Sequence, residues 1–239
     1  MEKVIHRSET RGFVDLGWLR THHSFSFSDY YNPERMRFGL LRVLNDDYVS
    51  PGRGFDTHPH DNMEIITIPL YGALRHKDSM GNEIVIHSGE VQRMSAGTGI
   101  THSEFNASPV EELSLLQIWV FPKEKNIEPS YDQKKFDRSL RRNKLQLVVA
   151  PDGKDGAVSV HQNTYFSLVD LDPNKSVEYT VHSKGSGVYC FVISGQVSIA
   201  NETLNKRDAI GVTEFEELNI HSNEISEVLI IEVPTALEK

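Results

Sequence analysis

This chain of 239 residues has little cysteine, no long apolar run and no apolar segment at its start, and each absence excludes a class of protein. Its single cysteine, Cys190, rules out an internal disulfide, and the apolar run around it (GVYCFVISG) predicts a small buried side chain. No apolar run reaches the roughly 20 residues that span a bilayer as a helix. The first residues, MEKVIHRSETRGF, lack the apolar core of a secretory signal. We therefore expect a cytoplasmic protein without membrane contact.

Basic residues are also in short supply. The chain has 25 Lys and Arg against 34 Asp and Glu, a formal charge of −9, which disfavours direct contact with nucleic acid. The one basic run, KKFDRSLRRNK (134–144), is expected to be solvated and is the sole candidate for an anionic partner. With 38% hydrophobic and 25% charged residues, the chain has the composition of a globular protein with a sizeable core.

Helical periodicity is lacking as well, whereas strand signals recur along the whole chain. Short runs rich in β-branched and aromatic residues, such as MEIITIPLYG, ELSLLQIWVF and EVLIIEVP, are separated by turn sequences such as DSMGNE and PDGKDG. The most helix-like segment, SYDQKKFDRSLRRNK (130–144), predicts a connector with one or two helical turns. Evenly spaced short strands of this kind predict an all-β protein of antiparallel sandwiches or barrels.

A weak internal repeat predicts two barrels. Aligning Gly72 with Gly195 superimposes two strand–Gly–strand units and equates His58, His60 and Glu64 with Val181, Ser183 and Gly187. The second half therefore retains the architecture without these polar side chains. We predict an N-terminal barrel over residues 1–130 with the metal site, a linker over 131–144 and a C-terminal barrel over 145–239 without metal ligands.

Two short segments of the first half carry the candidate metal chemistry. His58 and His60 lie two residues apart before an apolar run, and two such side chains on a strand share one face. His102 and Glu104, in THSE, have the same spacing. Three imidazoles and one carboxylate with open positions suit iron, manganese, nickel or copper at least as well as zinc. Spacing alone is compatible with either Glu64 or Glu104 as the carboxylate ligand.

Other polar residues are weaker candidates. His22 and His23 are adjacent and point to opposite faces of a strand, so a structural or surface role is expected for them. Gln117, inside the apolar run LSLLQIWVF, is either a satisfied core amide or a hydrogen-bonding group of a ligand cavity. The isolated histidines are expected to be solvated or hydrogen-bonded: His76, His87, His161, His182 and His221.

The two segments resemble known motifs. GRGFDTHPHDNMEIITIPLYG fits the first cupin pattern, and GEVQRMSAGTGITHSEFN resembles the second. Together with the upstream landmarks FSF and RVLNDD they are similar to the pirin family of bicupins over about residues 10–125. The resemblance implies an all-β fold of two cupin (jelly-roll) β-barrels with a metal site only in the N-terminal barrel. It also implies a ligand set, with Glu64 as a neighbour of the metal: His58, His60, His102 and Glu104.

The chain departs from the family at the edge of the expected cavity. Many pirins have Arg, Gly and Phe where this chain has Asp61, Asn62 and Met63, which suggests a change in the substrate or in the electrostatics of the rim. Met63 and Gln117 are the predicted substrate-pocket residues.

The resemblance implies an enzyme. An iron-dependent dioxygenase would cleave a flavonol such as quercetin with O₂ and release carbon monoxide, with Glu104 as the catalytic proton acceptor. Fe(II) is the implied cofactor, and Mn, Ni, Co, Cu or Zn are alternatives. A second hypothesis is a metal-bearing, redox-sensing co-regulator with a regulatory protein partner, and a third is another metal-dependent cupin enzyme such as an isomerase. Two barrels in one chain favour a monomer.

Overall fold

The computed structural model describes residues 1–236, and within them the chain is almost entirely β-structure. Short 3-10 helices cover Ser8–Thr10, Arg138–Arg141 and Lys154–Gly156. The strands of the first half are β1 Glu2–His6, β2 Gly12–Asp15, β3 Leu19–His23, β4 Leu41–Val49, β5 Gly54–His60, β6 Glu64–Tyr71, β7 Ala73–Asp78, β8 Glu83–His87, β9 Glu90–Ser95, β10 Ile100–Asn106, β11 Leu113–Val120 and β12 Ser130–Lys135. The strands of the second half are β13 Gln146–Pro151, β14 Val158–Val160, β15 Tyr165–Leu171, β16 Ser176–Thr180, β17 Ser186–Ser194, β18 Gln196–Ile199, β19 Glu202–Asn205, β20 Ala209–Thr213, β21 Glu217–Ser222 and β22 Ser226–Pro234.

Each half folds into one large and one small sheet. The first half has the seven-stranded order β12-β9-β6-β11-β4-β3-β2 and the four-stranded order β5-β10-β7-β8. The second half repeats this with β1-β20-β17-β22-β15-β13-β14 and β16-β21-β18-β19. The predicted all-β fold with two barrels is confirmed. No helix in residues 1–236 is long and apolar enough to cross a membrane.

The two large sheets share one hydrophobic core. Leu44 and Ile118 from the first large sheet belong to the same buried cluster as Phe166, Phe191 and Leu229 from the second. Sheets packed face to face bury the apolar side of each, so each large sheet packs against the other half of the molecule as well as against its own small sheet. The two barrels are therefore joined by a common core.

Strand pairing also links the two halves at the N-terminus. β1 pairs with β20, so residues 2–6 form the edge of the second large sheet although they precede the first barrel in the chain. The predicted domain boundaries remain a proposal. They place β1 in the N-terminal barrel, whereas its strand pairing is with the large sheet of the second half.

The predicted connector over 130–144 has a different local structure. Residues 130–135 form a strand because their backbone pairs with the edge of β9, a long-range partner that local periodicity does not reveal. The helical content is a single 3-10 turn. The basic side chains pair internally: Arg138 Nε lies 2.7 Å from Asp170, and Arg141 Nη2 lies 2.6 Å from Glu227. These arginines are engaged by acidic residues of the second barrel rather than free for an anionic partner.

Candidate metal centre

Three imidazoles converge on two paired strands of the first small sheet. His58 and His60 alternate along β5 and project from one face, and His102 on β10 lies opposite His58 in the antiparallel register. The ring centroids are 4.5 to 4.8 Å apart. The Nε2 atoms of His58 and His102 are separated by 3.0 Å. The structure thus brings the three predicted histidines together.

The separation of these nitrogens fits a shared ion. Metal–imidazole bonds of about 2.1 Å that meet at about 90° place two nitrogens about 3.0 Å apart, which is the geometry of neighbouring ligands around an octahedral ion. The ligand-capable atoms of His58, His60 and His102 lie within 4.8 Å of one another. The donor set therefore fits a transition-metal ion that keeps further coordination positions open.

A backbone carbonyl orients the first of these histidines. His58 Nδ1 lies 2.8 Å from the carbonyl oxygen of Asp56, which can only accept a hydrogen bond. Nδ1 of His58 is therefore the protonated nitrogen, and Nε2 presents its lone pair to the cluster. A hydrogen bond of this kind at the far nitrogen is the usual way in which proteins fix the tautomer of a metal-binding histidine.

A buried pair of residues on β7 supports the third histidine. His76 is fully buried, with Nε2 3.0 Å from Asp78 Oδ2 and Nδ1 3.5 Å from Nδ1 of His102. Burial raises the pKa of Asp78, but hydrogen bonds from Asn82 and His76 lower it further, and the net shift is downward. A charged Asp78 accepts from Nε2 of His76, whose Nδ1 can then accept from His102. This leaves Nε2 of His102 free for an ion.

The carboxylate of the THSE segment lies beside the third histidine. Glu104 is buried, and its ligand-capable oxygen lies within 4.8 Å of those of His102 and His76. Gln117, on the opposite large sheet, donates from Nε2 to Glu104 Oε2 over 2.8 Å. An extra residue in β5 between Phe55 and His58 forms a bulge opposite this part of β10, and bulges of this kind re-aim side chains.

Glu64, the alternative carboxylate, lies in a different environment. It is fully buried on β6, where Oε2 accepts a hydrogen bond of 2.8 Å from Ser95 and one of 3.4 Å from the backbone of His161. Burial raises the pKa of its carboxyl group. Among residues 1–236, the groups that could hold an ion include Glu104 and do not include Glu64. Glu64 therefore serves the packing between the two halves.

The electrostatics keep the cluster in its metal-binding form. Burial, reinforced by His58 and His76, lowers the pKa of His102 to about 3. Burial, reinforced by His102 and His58, lowers the pKa of His60 to about 4. Since only neutral imidazole binds a metal ion, these two side chains are in the form that can bind one at neutral pH.

Comparison with known proteins identifies the family. A family model described as Pirin matches residues 5–120, and one described as Quercetinase C-terminal cupin domain matches residues 147–233. The quercetin 2,3-dioxygenase of Escherichia coli strain K12 is 41% identical over 231 residues, covering 96% of this chain and 98% of that protein. The chain belongs to the pirin family. The predicted cupin character of its barrels is confirmed.

Solved structures agree with this assignment. The bacterial pirin YhhW of Escherichia coli in complex with nickel(II) aligns to this pirin with a TM-score of 0.92 and 39% identity, covering 98% of this chain and 99% of that chain. A quercetin 2,3-dioxygenase from Acinetobacter baumannii has a TM-score of 0.78 at 20% identity over 97% of this chain and 86% of its own, which is a likeness of fold.

A cavity of about 420 Å³ opens beside the cluster in this pirin. His58, His60 and Glu104 form part of its wall, and Gln117, which was predicted as a pocket residue, also lines it. The rest of the wall includes the aromatic side chains of Phe27, Phe55 and Trp119. A volume of this size with mostly apolar walls and a few polar groups is typical of sites for small aromatic molecules.

The residues between His60 and Glu64 occupy different places from those expected. Met63 was predicted to line the pocket, but its side chain packs on a separate cluster that includes Ile65 and Met94. Its position is fixed because its carbonyl oxygen accepts from the backbone of Ala96. Asn62 accepts from the backbone of Asn126 over 2.7 Å and so anchors a loop. These two side chains shape the surroundings of the cavity indirectly.

Two buried histidines of this site were expected to have only a structural, surface, solvated or hydrogen-bonded role. His76 lies behind His102, and His23 lines the cavity. Signals for both exist in the sequence, since His76 and Asp78 alternate along one strand as His102 and Glu104 do. His23 alternates in the same way with Thr21. His22, in contrast, is half-buried and lies 4.7 Å from the ring of Phe13, in the structural role expected of it.

Proposed function

We propose that this pirin is an iron-dependent dioxygenase that cleaves a flavonol such as quercetin with O₂ and releases carbon monoxide. The observation that carries the proposal is that two imidazoles and a carboxylate, those of His58, His60 and Glu104, line a 420 Å³ cavity with aromatic walls. The buried His102 lies within 4.8 Å of both histidines and of Glu104. The name of the Escherichia coli relative, 41% identical over nearly its whole length, supports the same chemistry.

Four residues would hold the metal ion: His58, His60, His102 and Glu104. When bound, a divalent ion would supply Lewis acidity toward the flavonol hydroxyl and the redox chemistry that reaction with dioxygen requires. Fe(II) suits a set of three neutral imidazoles and one carboxylate with open positions. Nickel(II) is the ion named for the Escherichia coli pirin, and Mn, Co, Cu and Zn are alternatives for the same donors.

Glu104 is the proposed proton acceptor. Gln117 holds Oε2 of this carboxylate at 2.8 Å, and we assign Oε1 to the ion or to the proton of the substrate hydroxyl. Trp119 Nε1 lies 3.4 Å from Oε1 of Gln117, so the amide is itself held in orientation. A base within hydrogen-bond reach of the cavity can take the hydroxyl proton as the flavonol binds. Phe27 and Phe55 would exclude water from the substrate rings.

The test is a reaction with defined metal loading. Protein reconstituted anaerobically with Fe(II) is mixed with quercetin and oxygen, and oxygen uptake and released carbon monoxide are measured together. We expect equal amounts of both, and we expect neither with His58→Ala, whereas His87→Ala, at an exposed histidine, behaves as wild type. Protein loaded in parallel with Ni, Mn, Co, Cu or Zn is assayed in the same way, which ranks the metals by the activity that they support. If protein that is fully loaded with iron consumes no oxygen with any flavonol, the proposal is wrong.

We also propose a monomeric cytoplasmic protein. The large sheets of the two barrels bury each other within one chain, and the single thiol, Cys190, is fully buried. Light scattering at several concentrations tests the monomer. The relatives named above do not carry names that point to a regulatory partner, so the alternative of a redox-sensing co-regulator gains no support.

A further inference from the structure

The cavity wall that faces the candidate ligands carries a polar ladder, defined as Thr21 and His23 on β3 with Asn45 and Asp47 on β4. Within each strand the two residues alternate and share one face. Across the strands, Thr21 pairs with Asp47 and His23 pairs with Asn45. All four line the cavity, yet the reaction proposed above uses none of them.

Most of the ladder is satisfied within itself. His23 Nδ1 lies 2.8 Å from Asn45 Oδ1 and 3.5 Å from the Thr21 hydroxyl. In the part of the chain that the structure describes, Oδ1 of Asp47 is buried and has no hydrogen-bond partner. Asp47 is 3% exposed, and it is one of the residues that form the cavity wall.

The surroundings of Asp47 favour its protonated carboxyl group, which can both donate and accept a hydrogen bond. Burial, together with repulsion from Asp46 and Glu104, raises the pKa of Asp47 to about 7. The neighbouring arginines do not offset this, because Arg11 and Arg207 both pair with Asp46 instead. A buried carboxyl oxygen without a partner is unfavourable, and a ligand that supplies a hydroxyl group removes that penalty.

We propose that Asp47 binds a peripheral phenolic hydroxyl of the aromatic substrate, meaning a hydroxyl other than the one that meets the metal, and thereby selects polyhydroxylated flavonols. The inference rests on the proposed function, since it names the substrate class of the same cavity. Phe27, Phe55 and Trp119 provide apolar surface for the rings. A substrate that leaves Oδ1 of Asp47 unpaired binds less well, which is how buried polar groups produce specificity.

The experiment measures binding without turnover. Metal-loaded protein is titrated under anaerobic conditions with quercetin and with 3-hydroxyflavone, which keeps the hydroxyl–carbonyl pair for the metal but has no peripheral hydroxyls. We expect wild type to bind quercetin at least about tenfold more tightly. Asp47→Leu should lose this preference by weakening quercetin alone, and Asp47→Asn, which can still form hydrogen bonds, should retain part of it. Asp29→Asn, at an exposed aspartate beside the cavity residue Ser28, is the matched control.

The outcomes separate this inference from the proposed function. Equal affinity of wild type for the two flavonols, or an unchanged preference in Asp47→Leu with full metal content, overturns the role of Asp47 and leaves the dioxygenase proposal intact. Failure of every flavonol to bind the metal-loaded wild type overturns both. Equal affinity in the wild type overturns the inference without any variant, and Asp47→Asn, which keeps the shape of the side chain, supplies the second test if Asp47→Leu folds poorly.

Discussion

Replacing Asp46 with asparagine should destabilise the whole molecule, because this carboxylate neutralises two arginines at the junction of the barrels. Asp46 Oδ2 lies 3.3 Å from Arg11 Nη2 and 3.0 Å from Arg207 Nε. The side chains are 2%, 3% and 13% exposed, in that order. Both guanidinium groups also lie over the ring of Phe191, at 5.5 and 5.9 Å. The ionic cluster therefore joins β4, the segment before β2 and the second barrel.

The magnitude follows from burial. Asp46→Asn keeps the volume of the side chain but leaves two buried cations without a counter-charge, and breaking a buried pair in this way costs about 3–5 kcal/mol. Burial already lowers the pKa of Arg11, and Asp46 is the group that counteracts the shift. The same change at an exposed pair is the control: Lys77 and Glu83 are 3.1 Å apart but more than 60% exposed, so Glu83→Gln should cost less than about 1 kcal/mol.

Urea unfolding of the full-length, metal-free proteins measures both effects. Urea is preferred because guanidinium chloride would screen the charges under test. We expect a lower midpoint for Asp46→Asn at an unchanged slope, and a midpoint within error of wild type for Glu83→Gln. If the two variants lose similar small amounts of stability, the junction is held by its apolar core alone, and the reasoning about buried charge is wrong.

Three further predictions concern the metal cavity. Glu104→Gln should lower the metal content measured by elemental analysis, whereas Glu64→Gln should leave it unchanged; the reverse pattern would make Glu64 the ligand. His76→Ala should weaken metal binding about 10- to 100-fold in competition with a chelator, and His87→Ala should not, so equal affinities would limit His76 to packing. Asp47 has a higher pKa folded than unfolded, so its contribution to stability is full below about pH 4 and is lost as the pH rises through about 7. Across that range the metal-free wild type should lose up to about 4 kcal/mol relative to Asp47→Asn, and parallel urea profiles for the two would refute the shift.

Sequence patterns predict the parts of this molecule that depend on neighbours along the chain. The strand periodicity and the i, i+2 spacing of His58 with His60 and of His102 with Glu104 fix which side chains share a face. What these patterns leave open is which strands lie side by side in one sheet. Glu64 has suitable spacing from His60, but β6 belongs to the large sheet, whereas β5 and β10 belong to the small one. Only the order of strands separates Glu64 from the imidazoles.

The features that sequence reasoning did not predict in full are those that depend on partners far along the chain. His76 gains its role because β7 is the neighbour of β10, where it pairs with Glu104. Residues 130–135 become a strand because β9 offers an edge. Their side chains are mostly half-exposed, so the segment has little of the alternation that marks a strand with one buried face. In both cases the deciding contact spans many residues, which no local window contains.

The two barrels also show why the same fold holds a site in one half and not in the other. In the second half a single apolar cluster fills the space between the sheets, and Tyr179, Leu218 and Ile220 of the small sheet belong to it. In the first half the corresponding apolar residues form two small clusters, one around Leu115 and one around Met94, with the metal cavity opening beside them. A filled barrel contributes hydrophobic stability, and a barrel with a polar cavity forgoes part of it. The core shared by the large sheets offsets this loss, so the second barrel stabilises the first although the first contains a polar cavity.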